Sequence, residues 1–123
     1  MEKHVLIIED EPDIREAMAE AVTQEKLKVT TAENGQIGLE KALATRPNLI
    51  LLDIKMPVMD GHEMLKKLRS DPWGRAAKVI VLTSMDDVKN IGEAHTGNIT
   101  DYVIKAHSSL DEIMAKVRLA IHS

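Results

Sequence analysis

The sequence predicts an α/β fold: a doubly wound, five-stranded parallel sheet with helices on both faces. Three observations predict it. Short apolar runs alternate with amphipathic helical stretches along the chain, which is the pattern of successive strand–crossover–strand units. The run from Asn48 to Leu52 is apolar without alternation and lies between Pro47 and Pro57, as expected of a strand buried on both faces. Finally, the strand-like runs end in charged or hydroxylic residues, namely Glu9-Asp10, Asp53, Thr83-Ser84 and Lys105.

Taken in order, His4-Val5-Leu6-Ile7-Ile8 is the first strand. Pro12 suits a first helical turn, and Ile14, Ala17, Met18, Ala21 and Val22 follow on one face at spacings of three and four. Acids favour a helix N-terminus, which accounts for Glu11 and Asp13 as capping carboxylates. Lys28 to Ala32 is a weaker, Thr-containing strand, and Asn34-Gly35 reads as a turn. The second helix carries Leu39, Ala42 and Leu43 on its apolar side and stops before Pro47. After the central strand, residues 56–61 form a loop, and Gly61, Met64, Leu65 and Leu68 begin a third helix. Ser70-Asp71-Pro72-Trp73-Gly74 breaks that helix, with Trp73 as a loop anchor.

Lys78 to Leu82 is the fourth strand. Val88, Ile91, Gly92 and His95 outline a fourth helix that Gly92 weakens. Asp101 to Ile104 is the fifth strand. The last helix opens on the capping box Ser109-x-x-Glu112 and runs through Leu110, Ile113, Met114, Val117 and Ile121. Strands one, three and four are the most apolar and belong at the centre, and polar strand two belongs at an edge. That is the flavodoxin-like order 2-1-3-4-5, with its switch point between strands one and three.

Bulk properties narrow the function. A chain of 123 residues suits one domain with its own core, built from aliphatic side chains because the aromatics are Trp73 and Tyr102 with no Phe. A formal net charge of -4, without a dense Lys/Arg stripe, argues against direct nucleic-acid binding. The absence of cysteine excludes disulfides and thiolate chemistry. Val5 to Ile8 is too short for a signal peptide or a membrane span, so a cytoplasmic location without membrane contact is expected.

In a parallel sheet the five strand ends share one edge, and ligands bind there. Three carboxylates, Glu9, Asp10 and Asp53, would converge beside the switch point and repel one another without a cation. An all-oxygen site of this kind suits Mg2+. The hydroxyl of Thr83 and the ammonium of Lys105 are what a bound phosphoryl group needs. Asp53, central and flanked by the others, is the candidate nucleophile toward phosphorus, giving an aspartyl-phosphate. Glu9 and Asp10 would hold the metal. The scattered histidines lack transition-metal spacing, and neither Asn34-Gly35 nor Asp60-Gly61 leads into a P-loop.

These stretches, VLIIEDEPDIRE, LILLDIKMPVMDGHEML, VIVLTS and DYVIK, are similar to those of receiver domains of bacterial two-component response regulators over nearly the whole chain. The separations fit as well: 43 residues from Asp10 to Asp53, 30 from Asp53 to Thr83, and 22 from Thr83 to Lys105. The resemblance implies a phosphorelay signalling domain rather than a turnover enzyme, one that catalyses just its own phosphorylation and dephosphorylation. A sensor histidine kinase or a histidine phosphotransfer protein would donate the phosphoryl group from phosphohistidine to Asp53. The backbone carbonyl of Lys55 would join the metal ligands. Thr83 and Tyr102 would act as the switch and remodel the face of helix four, strand five and helix five. That face would serve a downstream protein target, a tethered output domain or a phosphorylation-dependent homodimer. Residues 1–123 are expected to form a single receiver domain with no output domain in the chain, whether as a stand-alone regulator or an excised piece.

The chain departs from the family pattern in places. Ala106 follows Lys105 where the family has a cis proline. A cis non-proline bond costs about 2.5–4 kcal/mol, so a trans bond is expected. Asn98-Ile99-Thr100-Asp101 replaces Gly-Ala-Asp-Asp. Met85, two past Thr83, cannot orient an attacking water, and with Lys55 it is expected to slow hydrolysis. Other functions fit less well. A haloacid-dehalogenase-like phosphatase wants a second acid where Lys55 stands, and a flavodoxin-type binder wants a phosphate-cradling loop where Glu9 to Asp13 is acidic. An unphosphorylated pseudo-receiver is opposed by the intact Asp10, Asp53, Thr83 and Lys105.

Overall fold

The computed structural model describes residues 2–54, 56, 58–83, 99, 101–105 and 108–122. The expected fourth helix (Val88, Ile91, Gly92, His95), together with Lys55, Ser84, Met85, Asn98, Thr100 and the Lys105–Ala106 bond, lies outside the described residues.

Every strand is parallel to its neighbours. β1 (His4–Ile8), β2 (Lys28–Ala32), β3 (Leu49–Asp53), β4 (Val79–Thr83) and β5 (Asp101–Ile104) form one sheet in the order β2-β1-β3-β4-β5. This is the expected flavodoxin-like arrangement, and burial explains the order. All five positions are buried in each of β1, β3 and β4, while the outer strands β2 and β5 each keep mostly partly exposed positions. A strand covered on both faces favours apolar residues along its length, so the most apolar segments take the centre and their polar residues fall at the strand ends.

Alternation along the strands divides the core in two. Leu6, Ile8, Ile50, Leu52, Val79 and Val81 pack with Ala42, Met64, Leu65 and Leu68, under α2 (Gly35–Thr45) and α3 (Gly61–Arg69). Val5, Ile7, Leu49, Leu51, Ile80 and Leu82 pack with Met18, Val22, Met114 and Val117, under α1 (Pro12–Gln24) and the C-terminal helix (Leu110–Ile121). Trp73 anchors against the first of these layers, beside a short 3-10 turn at Gly74–Ala76 that the sequence did not signal.

Several local expectations need correction. Asn34-Gly35 is a helix start rather than a free turn: Asn34 caps α2 by accepting from the Ile37 amide at 2.9 Å. Leu43 is 38% exposed rather than core, and the buried positions of α2 are Gly35, Gly38 and Ala42. The reason is close approach. Gly35 donates its amide to the Met59 carbonyl at 3.0 Å, and a Cβ there would lie 2.3 Å from that oxygen. The helix therefore seats itself on its glycines, which turns Leu43 outward. On α1, Ala17 is exposed and Glu11 takes the N-cap position without a side-chain cap bond. Ser109 does cap the C-terminal helix, accepting from the Glu112 amide at 3.2 Å.

Candidate functional site

Sheet register alone gathers the candidate residues. Ile8 lies opposite Leu52, so Glu9 follows at the level of Asp53. Asp53 pairs with Leu82, placing Thr83 one step beyond, and Thr83 pairs with Ile104, placing Lys105 one step further. The expected strand ends shift by one residue: Asp53 and Thr83 are the last residues of β3 and β4 rather than the first residues after them. Both are thereby fixed by the sheet itself. The Lys105 amide donates to the Thr83 carbonyl at 2.8 Å, and the Ile54 amide donates to the Leu82 carbonyl at 3.1 Å.

One carboxylate oxygen from each of Glu9, Asp10 and Asp53 falls within 4.8 Å of the others. Glu9 is fully buried and Asp53 is 3% exposed, whereas Asp10 keeps partial contact with solvent. Lys105 reaches into this group from β5. Its Nζ donates to both Glu9 oxygens at 3.3 and 3.2 Å and lies 3.6 Å from Asp53 Oδ1. Glu9 Oε1 also accepts from the Glu11 amide at 3.3 Å. Thr83 is buried at the same edge. Tyr102, on β5, is 42% exposed.

Among the described residues, the electrostatics follow from one ammonium, that of Lys105, among three acids. Burial, then the neighbouring Glu9 carboxylate, pushes the Asp53 carboxyl up to about 8 despite Lys105. Burial likewise raises Glu9, with Lys105 and the Glu11 amide opposing. For Lys105, burial would lower the ammonium, but the Asp53 and Glu9 carboxylates outweigh it and hold it above its ordinary value. The site is therefore short of positive charge. Its donors are all carboxylate oxygens, and a hard divalent cation would relieve the repulsion among them. Glu9, Asp10 and Asp53 fit such an ion.

Two supporting features go beyond the residue types that the sequence flags. Gly61, the first residue of α3, packs directly behind Asp53, and a Cβ there would lie 2.5 Å from the Asp53 carbonyl oxygen and 2.7 Å from Ile54 Cα. Its amide donates to the Ile54 carbonyl at 2.8 Å. Arg15, on α1, turns its Nη1 back to the Glu9 carbonyl at 3.0 Å and the Asp10 carbonyl at 3.4 Å. A lone arginine on an amphipathic helix reads as a solvated charge, so nothing in the pattern points to this contact.

Comparison with known proteins places this geometry. The response regulator receiver domain profile matches residues 5–118. The chain belongs to the response regulator receiver domain family. The receiver is 34% identical over 114 residues to the probable transcriptional regulatory protein TcrX of Mycobacterium tuberculosis, covering 93% of this chain and 47% of that protein. It is 36% identical over 113 residues to hybrid signal transduction histidine kinase D of Dictyostelium discoideum, covering 92% of this chain and 7% of that protein. The chain thus spans about half the length, or less, of the curated relatives it matches. Among solved structures it is similar to the response regulator protein TrrA of Thermotoga maritima in complex with Mg(2+)-BeF, with 32% identity, a TM-score of 0.82, and coverage of 96% of this chain and 98% of that one. It is also similar to the receiver domain of a sensor histidine kinase of Pseudomonas aeruginosa PAO1 with magnesium coordinated in its active site cleft, with 25% identity, a TM-score of 0.88, and full coverage of both chains. Among the described residues of the receiver, no helix is long and apolar enough to cross a membrane.

Proposed function

We propose that this receiver accepts a phosphoryl group on Asp53 from a phosphohistidine and thereby switches a protein-interaction face. The observation that carries this reading is Asp53 itself: a buried carboxylate at the end of the central strand, within 4.8 Å of Glu9 and Asp10 and 3.6 Å from Lys105. Glu9, Asp10 and Asp53, joined by the backbone carbonyl of Lys55, would hold Mg2+. When bound, the ion would neutralise the converging carboxylates and a phosphoryl oxygen.

An ionised Asp53 oxygen attacks phosphorus in line with the departing imidazole. The new O–P bond forms as the N–P bond breaks, and the bonding pair leaves with the ring nitrogen, which takes up a proton. Lys105 then trades its contact with the carboxylates for a phosphoryl oxygen, and Thr83 donates its hydroxyl to another. Movement of Thr83 releases space for Tyr102, whose ring is half exposed before the event. The donor would be a sensor histidine kinase or a histidine phosphotransfer protein, and the recipient a downstream protein, a tethered output domain or a second copy of the chain. The chain would act in the cytoplasm without touching nucleic acid, and it would turn over no external metabolite.

The test is intact mass after incubation with Mg2+ and acetyl phosphate. One phosphoryl adduct on the parent, absent in Asp53→Asn and in chelator, is the expected result. A folded parent that acquires no adduct would overturn the reading.

A further inference from the structure

We propose that Arg15 is a positioning residue for the acidic pair, holding Glu9 and Asp10 in register for a divalent cation. The inference rests on the magnesium reading above and adds a residue to it.

The argument begins with the backbone. Between the last residue of β1 and the first of α1, the chain must leave the sheet and turn into a helix within three residues. The Glu9 amide still belongs to the sheet, donating to the Ala32 carbonyl at 3.0 Å. The first helical bond comes later, from the Arg15 amide to the Glu11 carbonyl at 2.9 Å. The carbonyls of Glu9 and Asp10 precede that first helical bond. Arg15 serves both with one guanidinium nitrogen, at 3.0 and 3.4 Å.

A charged donor makes the stronger kind of hydrogen bond. Pinning two successive carbonyls fixes two successive peptide planes, and with them the directions in which the Glu9 and Asp10 side chains leave the chain. Glu11, the N-cap residue of α1, makes no side-chain cap bond, so the side chain of the cap residue itself does not hold this turn. The placement is also costly for a cation. Arg15 is the fourth residue of α1, near the positive end of the helix dipole, where acids are favoured. A contact that offsets this cost is what distinguishes Arg15 from a solvated charge.

The side chain places a positive charge at the backbone carbonyls of the two acids rather than at their carboxylates. It therefore steadies the ligands without competing for their oxygens, the role that outer groups play around metal ligands.

The experiment titrates Mg2+ into the purified chain by calorimetry and compares the parent with Arg15→Met and Arg15→Lys, each with its melting temperature in chelator. Removal of such an outer partner costs about 10–100-fold in metal affinity. The expected result is a dissociation constant raised at least tenfold in Arg15→Met and restored in part by Arg15→Lys, which keeps a single charged donor. A purely structural role would lower the melting temperature of both variants and leave the affinity of the folded protein within twofold of the parent. That outcome overturns the proposal. If Arg15→Met does not fold, Arg15→Lys decides alone: an affinity within twofold of the parent refutes it, and a larger loss supports it. A parent that binds no Mg2+ overturns the metal reading and this inference together, so the two failures are told apart by the parent titration.

Discussion

The acidic trio should make the metal-free protein less stable than its fold allows, and Asp53→Asn should reveal by how much. The substitution keeps the shape of the side chain and removes a charge. In the unfolded chain Asp53 ionises near 3.8, whereas in the fold burial and Glu9 push it up to about 8. At about 1.4 kcal/mol per tenfold change in proton affinity, the full difference sets an upper bound of roughly 6 kcal/mol. Sharing of protons among the three acids, and the loss of a partner for Lys105, reduce that figure, so a gain of about 2 kcal/mol is expected at pH 8. For a chain of this length that is about 6–10 °C in melting temperature.

The pH dependence fixes the sign. A carboxyl raised in the fold binds more protons folded than unfolded between about pH 4 and pH 8, so the parent loses stability as pH rises through that window. The advantage of Asp53→Asn should therefore be near zero at pH 4, grow with pH, and level off above pH 8. Urea denaturation in chelator, followed by circular dichroism at each pH, measures it. A variant less stable than the parent at pH 8, or an advantage that does not change with pH, would refute the reasoning. Saturating Mg2+ should then shrink the gap, because it stabilises the parent in proportion to its binding.

Two further outcomes follow from the same structure. His4 is buried with its Nε2 2.6 Å from the Thr30 hydroxyl, and burial, with Lys28 adding to it, holds the ring below its ordinary 6.5. Its contribution is complete above that value and is lost as pH falls through the lowered one, so His4→Gln should lose less stability than the parent between pH 7 and pH 5 in urea titrations. Gly61→Ala would drive a Cβ onto the Asp53 carbonyl, and since that neighbour is backbone rather than a flexible side chain, it should cost about 2 kcal/mol and slow Asp53 phosphorylation measured by intact mass.

What the sequence disclosed was whatever burial writes into composition. The three inner strands are apolar except for His4, Asp53 and Thr83 at their ends, because both faces are covered, so their place and order were legible. The site was legible for a related reason: a carboxylate, a hydroxyl or an ammonium at or directly after the end of such a run stands at the sheet edge. Features that depend on the absence of a side chain were not. α2 packs through Gly35 and Gly38, and a count of apolar periodicity assigns its buried face to Leu43 instead. Val58 takes φ 72 although it is β-branched, a conformation that composition would have given to Gly or Asn. Arg15 was hidden because its partners are carbonyls, which every residue carries.

The position of Lys105 suggests why the charge shortage sits where it does. β5 is the edge strand, with Val103 its one buried position, and it is bonded to β4 through the Lys105 amide and the Thr83 carbonyl. The same lysine spans Glu9 on β1 and Asp53 on β3. A site built wholly within β1, β3 and β4 could change its charge with little consequence, because those strands are locked on both faces. Tying the neutralising charge to an edge strand that is mostly part-exposed means that any redistribution among the acids pulls on a segment held by fewer buried contacts than the inner strands. Lys116 on the C-terminal helix pairs with Asp101 at 2.8 Å, so β5 and that helix are already linked on the far side of Tyr102. On the proposed reading, a phosphoryl group on Asp53 would draw Lys105 and Thr83 together. The response would then pass to β5 and its helix rather than to the inner strands.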